Sequence, residues 1–71
     1  MQPQCMEVIV NGEPKSVRCG LSVTALLRTL EVPLDRVAVE LNKSIVRKRN
    51  WEETPVPPGS QIEIVQFVGG G

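Results

Sequence analysis

Three consecutive glycines, Gly69-Gly70-Gly71, follow directly on the apolar-rich segment Ile62-Glu63-Ile64-Val65-Gln66-Phe67-Val68, with no polar spacer between them. Glycine lacks a Cβ and reaches backbone conformations closed to other residues, so such an end can thread a narrow cleft and expose its last carbonyl to attack. The chemistry this supports is carboxyl chemistry at Gly71, with the chain as the molecule acted upon. Ordering each tail residue costs on the order of 1–2 kcal/mol of backbone entropy, which a tail without side chains does not recover by itself. A partner must supply that binding energy. Terminal glycines also occur as simple frayed ends, and the choice between the two readings rests on the rest of the chain.

At 71 residues the chain has the length of one small domain, a size that buries only roughly 60% of its unfolded surface. The hydrophobic content is 41%, yet Trp51 and Phe67 are the only aromatic residues, so the core is expected to be compact and aliphatic. The sequence contains no His, the usual general base near neutral pH. Both facts weigh against an autonomous enzyme. Eight basic and eight acidic residues give a net charge of +0, which lacks the electrostatic footprint of a nucleic-acid binder. No basic leader with a long apolar run opens the chain, and no segment approaches membrane-spanning length. A cytoplasmic protein is the expectation, with neither nucleic acid nor membrane as partner. Cys5 and Cys19 lack the His or second cysteine pair that a zinc site needs, so free thiols are expected. Cys19 shares strand parity with Val17 and reads as a partly buried apolar filler, and Cys5 falls in a ragged N-terminus spanning residues 1–5.

The elements that must position the tail follow from periodicity. Met6, Val8 and Val10 alternate with Glu7, Ile9 and Asn11, a strand pattern, and Asn11-Gly12 predicts a type I′ hairpin turn. The second strand, about Lys15 to Cys19, begins with Pro14, which lacks a ladder donor and belongs at a sheet edge. Ser22 is a good N-cap, and Val23, Leu26, Leu27 and Leu30 follow at helical spacing. Pro33 biases Val32 away from helical geometry, which ends the helix near Leu30 or Glu31. Val37, Val39 and Leu41 mark a third strand, and Ile45-Val46 a very short fourth. Periodicity breaks down from Arg47 to Thr54. Pro55, Pro57, Pro58, Gly59 and Ser60 form a turn cluster, after which Gln61 to Phe67 resume a strand. The first and last strands carry the most continuous apolar character and are placed side by side, parallel, in the sheet centre. The order predicts one α+β domain, a β-grasp with a mixed four- to five-stranded sheet on one main helix and a flexible C-terminal glycine tail over residues 68–71.

On the last strand Ile62 and Ile64 share one face, and Glu63, Val65 and Phe67 the other. If the second set faces outward, Val65 and Phe67 form an apolar patch just before the glycines, of the kind that marks partner sites. The other placement folds Phe67 onto the rim of the core. Arg47, Lys48 and Arg49 read first as a solvated loop, and secondly as a charge that steers the chain toward an acidic groove. Trp51 reads as a cap over the core edge.

Taken together, Val10-Asn11-Gly12-Glu13, the leucine-bearing helix, Val39-Glu40-Leu41-Asn42, Ile45-Val46 with Trp51 five residues on, and Ile62 to Val65 running to Phe67-Val68-Gly69-Gly70-Gly71 carry a resemblance. Over nearly all of Met6 to Gly71 the chain resembles the ubiquitin-like sulfur carrier proteins of thiamine thiazole biosynthesis. Members commonly have Pro where Arg47 stands and Gly-Asp where Gly59-Ser60 stands, departures that affect loops and leave the tail untouched. The resemblance implies that an adenylating enzyme of the ubiquitin-activating type joins the Gly71 carboxylate to AMP from Mg-ATP. Sulfur from a cysteine desulfurase persulfide then displaces AMP, and the resulting Gly71 thiocarboxylate passes sulfur to a thiazole synthase. In that scheme Gly69 and Gly70 provide reach, Val65, Phe67 and Val68 dock the body, and the chain itself holds no cofactor stably. Molybdopterin synthesis or covalent protein modification would use the same carboxyl group.

Overall fold

In the computed structural model, which describes residues 4–67, the Asn11-Gly12 turn has positive φ at both central residues, 50° and 84°. This is the signature of a type I′ turn, whose twist matches that of the flanking strands. It joins β1 (Cys5–Val10) to β2 (Glu13–Arg18) in an antiparallel hairpin. Then come α1 (Val23–Thr29), β3 (Val37–Leu41), β4 (Ser44–Val46), a 3-10 helix over Lys48–Glu53 and β5 (Gln61–Gln66). A second two-residue turn, Asn42-Lys43 with φ of 50° and 73°, links β3 to β4.

The five strands form one mixed sheet in the order β2-β1-β5-β3-β4. β5 lies at its centre, parallel to β1 and antiparallel to β3. Pro14 sits on the edge strand β2, opposite Ile9, where its missing N–H is harmless. These features match the β-grasp expectation, and the sheet has five strands.

One face of this sheet carries the core. Met6, Val8 and Val10 of β1, Val17 of β2, Val37 and Val39 of β3 and Ile62 of β5 pack with Val23, Leu26 and Leu27 of α1, closed by Trp51 and Val56. Full burial of each such aliphatic side chain contributes roughly 1.5–3 kcal/mol, set against chain entropy. The indole N–H of Trp51 donates to the Val46 carbonyl at 2.8 Å, so its only polar atom is satisfied while the ring is 3% exposed. Trp51 is thus a core member rather than a cap over the edge.

Both ends of α1 are set by local chemistry. The Ser22 hydroxyl accepts from the Ala25 N–H at 3.1 Å. At the other end Glu31 adopts φ 59°, its N–H donates to Arg28 at 3.1 Å, and the Val32 N–H donates to Leu27 at 3.0 Å. That pair of bonds is a Schellman motif. The helix therefore ends one residue short of Leu30, by a left-handed residue rather than by the bias of Pro33 on Val32.

Two cysteine expectations require correction. Cys5 is not part of a ragged end: it opens β1 opposite Arg18. Cys19 is exposed rather than a filler: its N–H donates to the Gln4 carbonyl at 3.0 Å, one residue past the end of β2, and it lies beyond the buried cluster. Both thiols are free.

Candidate functional site

The last strand is held at the centre of the sheet by two asparagines that also make the turns. At Asn11 the backbone N–H donates to the Ile62 carbonyl at 2.8 Å. The Asn11 side chain then continues the ladder, Oδ1 accepting from the Ile64 N–H at 2.7 Å and Nδ2 donating to the Ile64 carbonyl at 3.2 Å. At the start of β5, Asn42 repeats the arrangement: its N–H donates to the Gln61 carbonyl at 2.7 Å and its Oδ1 accepts from the Gln61 N–H at 2.9 Å. Asparagine tolerates the left-handed conformation both turns require, and its short amide reaches the neighbouring strand from there. β5 is thereby fixed on both flanks up to the point where it leaves the sheet.

That point is Phe67, whose N–H donates to the Arg36 carbonyl at 2.8 Å and extends the β3–β5 pairing by one residue. Ile62 is buried and Ile64 half-buried on the core side. Val65 is 58% exposed and Phe67 57% exposed, so the placement of Phe67 on the core rim does not occur. Both project from the face opposite α1. Val68, Gly69, Gly70 and Gly71 lie outside the described residues.

A third exposed apolar side chain joins them. Ile45 is 75% exposed and pairs with Glu40 across β3 and β4, while Val65 pairs with Ala38 across β3 and β5. Period-two alternation puts Ile45, Val65 and Phe67 on the same open face. The sequence carried the signal for Ile45: with Val46 turned toward the core, its neighbour on a strand must turn away.

The basic run is elsewhere. Arg47 precedes the 3-10 helix, and Lys48 and Arg49 begin it. That element packs against α1 on the core side, which separates Lys48 and Arg49 from Val65 and Phe67, while Arg47 extends β4 by one residue toward the position opposite Ala38. Lys48 and Arg49 line an open cleft of about 680 Å³ with Thr24, Arg28, Leu34, Trp51 and Glu52. A smaller cleft of about 240 Å³ lies beside the end of β5, walled by Val10, Asn11, Lys15, Leu30, Val32, Ile64 and Gln66. Among the described residues no group of three or more His, Cys, Asp or Glu side chains is placed to hold a metal ion. Nor is any helix among them long and apolar enough to cross a membrane.

Comparison with known proteins bears on what this arrangement serves. The ThiS family model matches residues 8–71. The crystal structure of the thiamine biosynthesis protein ThiS from Geobacter metallireducens superposes with a TM-score of 0.81 at 38% identity, covering 93% of this chain and 100% of that one. The sulfur carrier protein ThiS of Escherichia coli is 29% identical over 66 residues, covering 93% of this chain and 100% of that protein. A thiazole synthase of Paramagnetospirillum magneticum is 41% identical over 66 residues, 93% of this chain. The chain spans only 20% of the length of that enzyme, and of a second thiazole synthase, from Magnetococcus marinus, that it matches. A common backbone at this identity, the ubiquitin-like β-grasp, together with a family match running through the glycine segment, leads to one conclusion: the chain belongs to the ThiS family.

Proposed function

We propose that this chain carries sulfur as a thiocarboxylate on Gly71 and delivers it for thiazole formation in thiamine biosynthesis. The observation that carries the reading is the position of β5: a strand locked on both flanks leaves the sheet at Phe67 with Val65 and Phe67 exposed, four residues before Gly71.

A rigid body with an apolar docking patch next to a glycine segment suits delivery of that segment into a partner's active site. A partner of the ubiquitin-activating type binds the Val65–Phe67 surface and takes up Val68 to Gly71. There a carboxylate oxygen of Gly71 attacks the α-phosphorus of Mg-ATP and pyrophosphate leaves. The acyl adenylate is a far better electrophile than the carboxylate. A persulfide sulfur originating from a cysteine desulfurase displaces AMP, and cleavage of the resulting acyl disulfide by a thiol, with formation of a new disulfide, leaves the thiocarboxylate. Magnesium and ATP belong to the activating enzyme, and the carrier holds no cofactor of its own. The recipient is a thiazole synthase, a pairing supported by the two enzymes of that name that contain a stretch similar to this chain. All of these steps take place in the cytoplasm.

Reconstitution with the adenylating enzyme, a cysteine desulfurase and Mg-ATP tests this. Intact-mass measurement is expected to show one oxygen exchanged for sulfur, mapping to Gly71. Deletion of Gly71, or extension beyond it, is expected to abolish the exchange. Full carrier activity with the Gly71 carboxyl blocked overturns the proposal. Rescue of molybdenum-cofactor but not thiamine auxotrophs would reassign the pathway, and ladders of the tagged chain on denaturing gels would reassign it as a protein modifier.

A further inference from the structure

The open face of the sheet combines its apolar side chains with an unneutralised pair of like charges. Glu40 and Glu63 are directly opposite one another across β3 and β5, and both are exposed. Residues so placed have Cβ atoms about 4.5–5.5 Å apart, and like charges there are destabilising. No ion pair among the described residues involves either of them. The residue across from Glu40 on β4 is Ile45. On the other flank of Glu63, the Asn11 amide is committed to the backbone of Ile64. The single ion pair among the described residues joins Lys15 to Glu13, away from this face on β2. Arg36, immediately before β3 and bonded through its backbone to Phe67, shares the face's parity but lies four residues from Glu40, and Arg47, extended after Val46 and diagonal to Glu40 past Ile45, makes no ion pair with it.

Of the three large apolar side chains exposed among the described residues, Ile45 is the cross-strand partner of Glu40, Val65 stands two residues from Glu63 on the same face, and Phe67 lies two residues further on. Apolar patches of this kind, rimmed by polar groups, mark protein docking surfaces.

We propose that Glu40 and Glu63 together receive one cationic side chain, an arginine, from an otherwise apolar docking surface of the adenylating partner. An arginine fork matches carboxylate geometry and is weakly hydrated, which suits a contact bordered by Ile45 and Val65. The complementary charge sets the rotational register of the docked body on the partner, and so the direction in which the chain beyond Phe67 is aimed. The repulsion in the free chain is relieved only in the complex. This inference rests on the docking reading of Val65 and Phe67, and its test separates the two.

The full chain is assayed by ATP–pyrophosphate exchange with the purified adenylating enzyme of the same organism, at several salt concentrations. The Glu40→Gln/Glu63→Gln double variant is expected to raise the KM for the chain about tenfold, leave kcat unchanged, and flatten the salt dependence of KM. Its melting temperature is expected to equal or exceed that of the parent, which separates a docking effect from misfolding. A Glu40→Lys/Glu63→Lys variant is expected to lose more than the Gln variant. An unchanged KM and salt slope in the Gln variant, with a raised KM in Val65→Ser/Phe67→Ser, overturns the ionic inference and keeps the docking reading. An unchanged KM in both double variants overturns both. Concentration-dependent dimerisation by sedimentation, lost in the Gln variant, assigns the face to a second copy of the chain and likewise overturns the inference.

Discussion

Asn11 holds both backbone groups of Ile64 with a single side-chain amide, accepting at 2.7 Å and donating at 3.2 Å across 53 residues of sequence. The parallel β1–β5 register runs only from Ile9 opposite Gln61 to Val10 opposite Ile62, because β1 turns back at Asn11. The amide supplies the next rung that the backbone no longer can.

Replacing Asn11 with Gly keeps the left-handed turn conformation and removes only this clamp. Asn11→Gly is expected to destabilise the fold by about 1–3 kcal/mol, the cost of leaving backbone groups less well paired. Amide exchange at Ile64, whose N–H loses its acceptor, is expected to accelerate more than at Ile62, which stays paired with Val10 in the β1–β5 ladder. Equal protection of Ile64 in variant and parent would show that the clamp does not secure β5.

Glu31 closes α1 from the left-handed region at φ 59°, where a residue with a Cβ is disfavoured by about 1–2 kcal/mol. Glu31→Gly is therefore expected to stabilise the protein by up to about 1 kcal/mol, since the flexibility glycine adds to the unfolded chain offsets part of the relief. Thermal denaturation reads the sign: a lower melting temperature contradicts the Schellman geometry as the stop of this helix.

Trp51 places the largest side chain of the core against the helix layer and satisfies its N–H on Val46. Trp51→Phe removes that bond and leaves a gap, and is expected to cost about 2–4 kcal/mol from the missing partner and the cavity together. Chemical denaturation monitored by circular dichroism checks it, and a loss under 1 kcal/mol would mean the ring is not packed as described.

Val65 and Phe67 are more than half exposed, and exposed substitutions of this kind stay within about 0.5 kcal/mol of the parent. Val65→Ser/Phe67→Ser is expected to melt like the parent while binding the proposed adenylating partner at least about tenfold more weakly by calorimetry. A normal affinity would remove this face from the docking surface.

Several features were legible in the residues alone because they are local. Asn11-Gly12 with alternating apolar flanks specifies a hairpin, Ser22 with Val23, Leu26 and Leu27 specifies a capped amphipathic helix, and Pro14 belongs on an edge strand. The central placement of β5 also followed, since a strand apolar along most of its length needs neighbours on both sides. The resemblance to sulfur carriers was likewise written in the linear order, through Val39-Glu40-Leu41-Asn42 and the run from Ile62 to Gly71. The mobility and reactivity assigned to Gly69, Gly70 and Gly71 concern residues outside those described.

What the tertiary structure alone decided are the relations between residues distant in the chain. No periodicity links Asn11 to Ile64, Asn42 to Gln61 or Glu40 to Glu63, because each partnership depends on the register of a pairing between strands far apart in sequence, and a slip of one residue exchanges the two faces of a strand. Packing likewise decided Cys19, which keeps a backbone bond to Gln4 yet stands past the edge of the core, where nothing covers it. Sequence determined which segments pleat, coil or turn. Three-dimensional packing determined that β5 is clamped by two asparagines, and that Ile45, Val65, Phe67 and two unneutralised carboxylates share one open face.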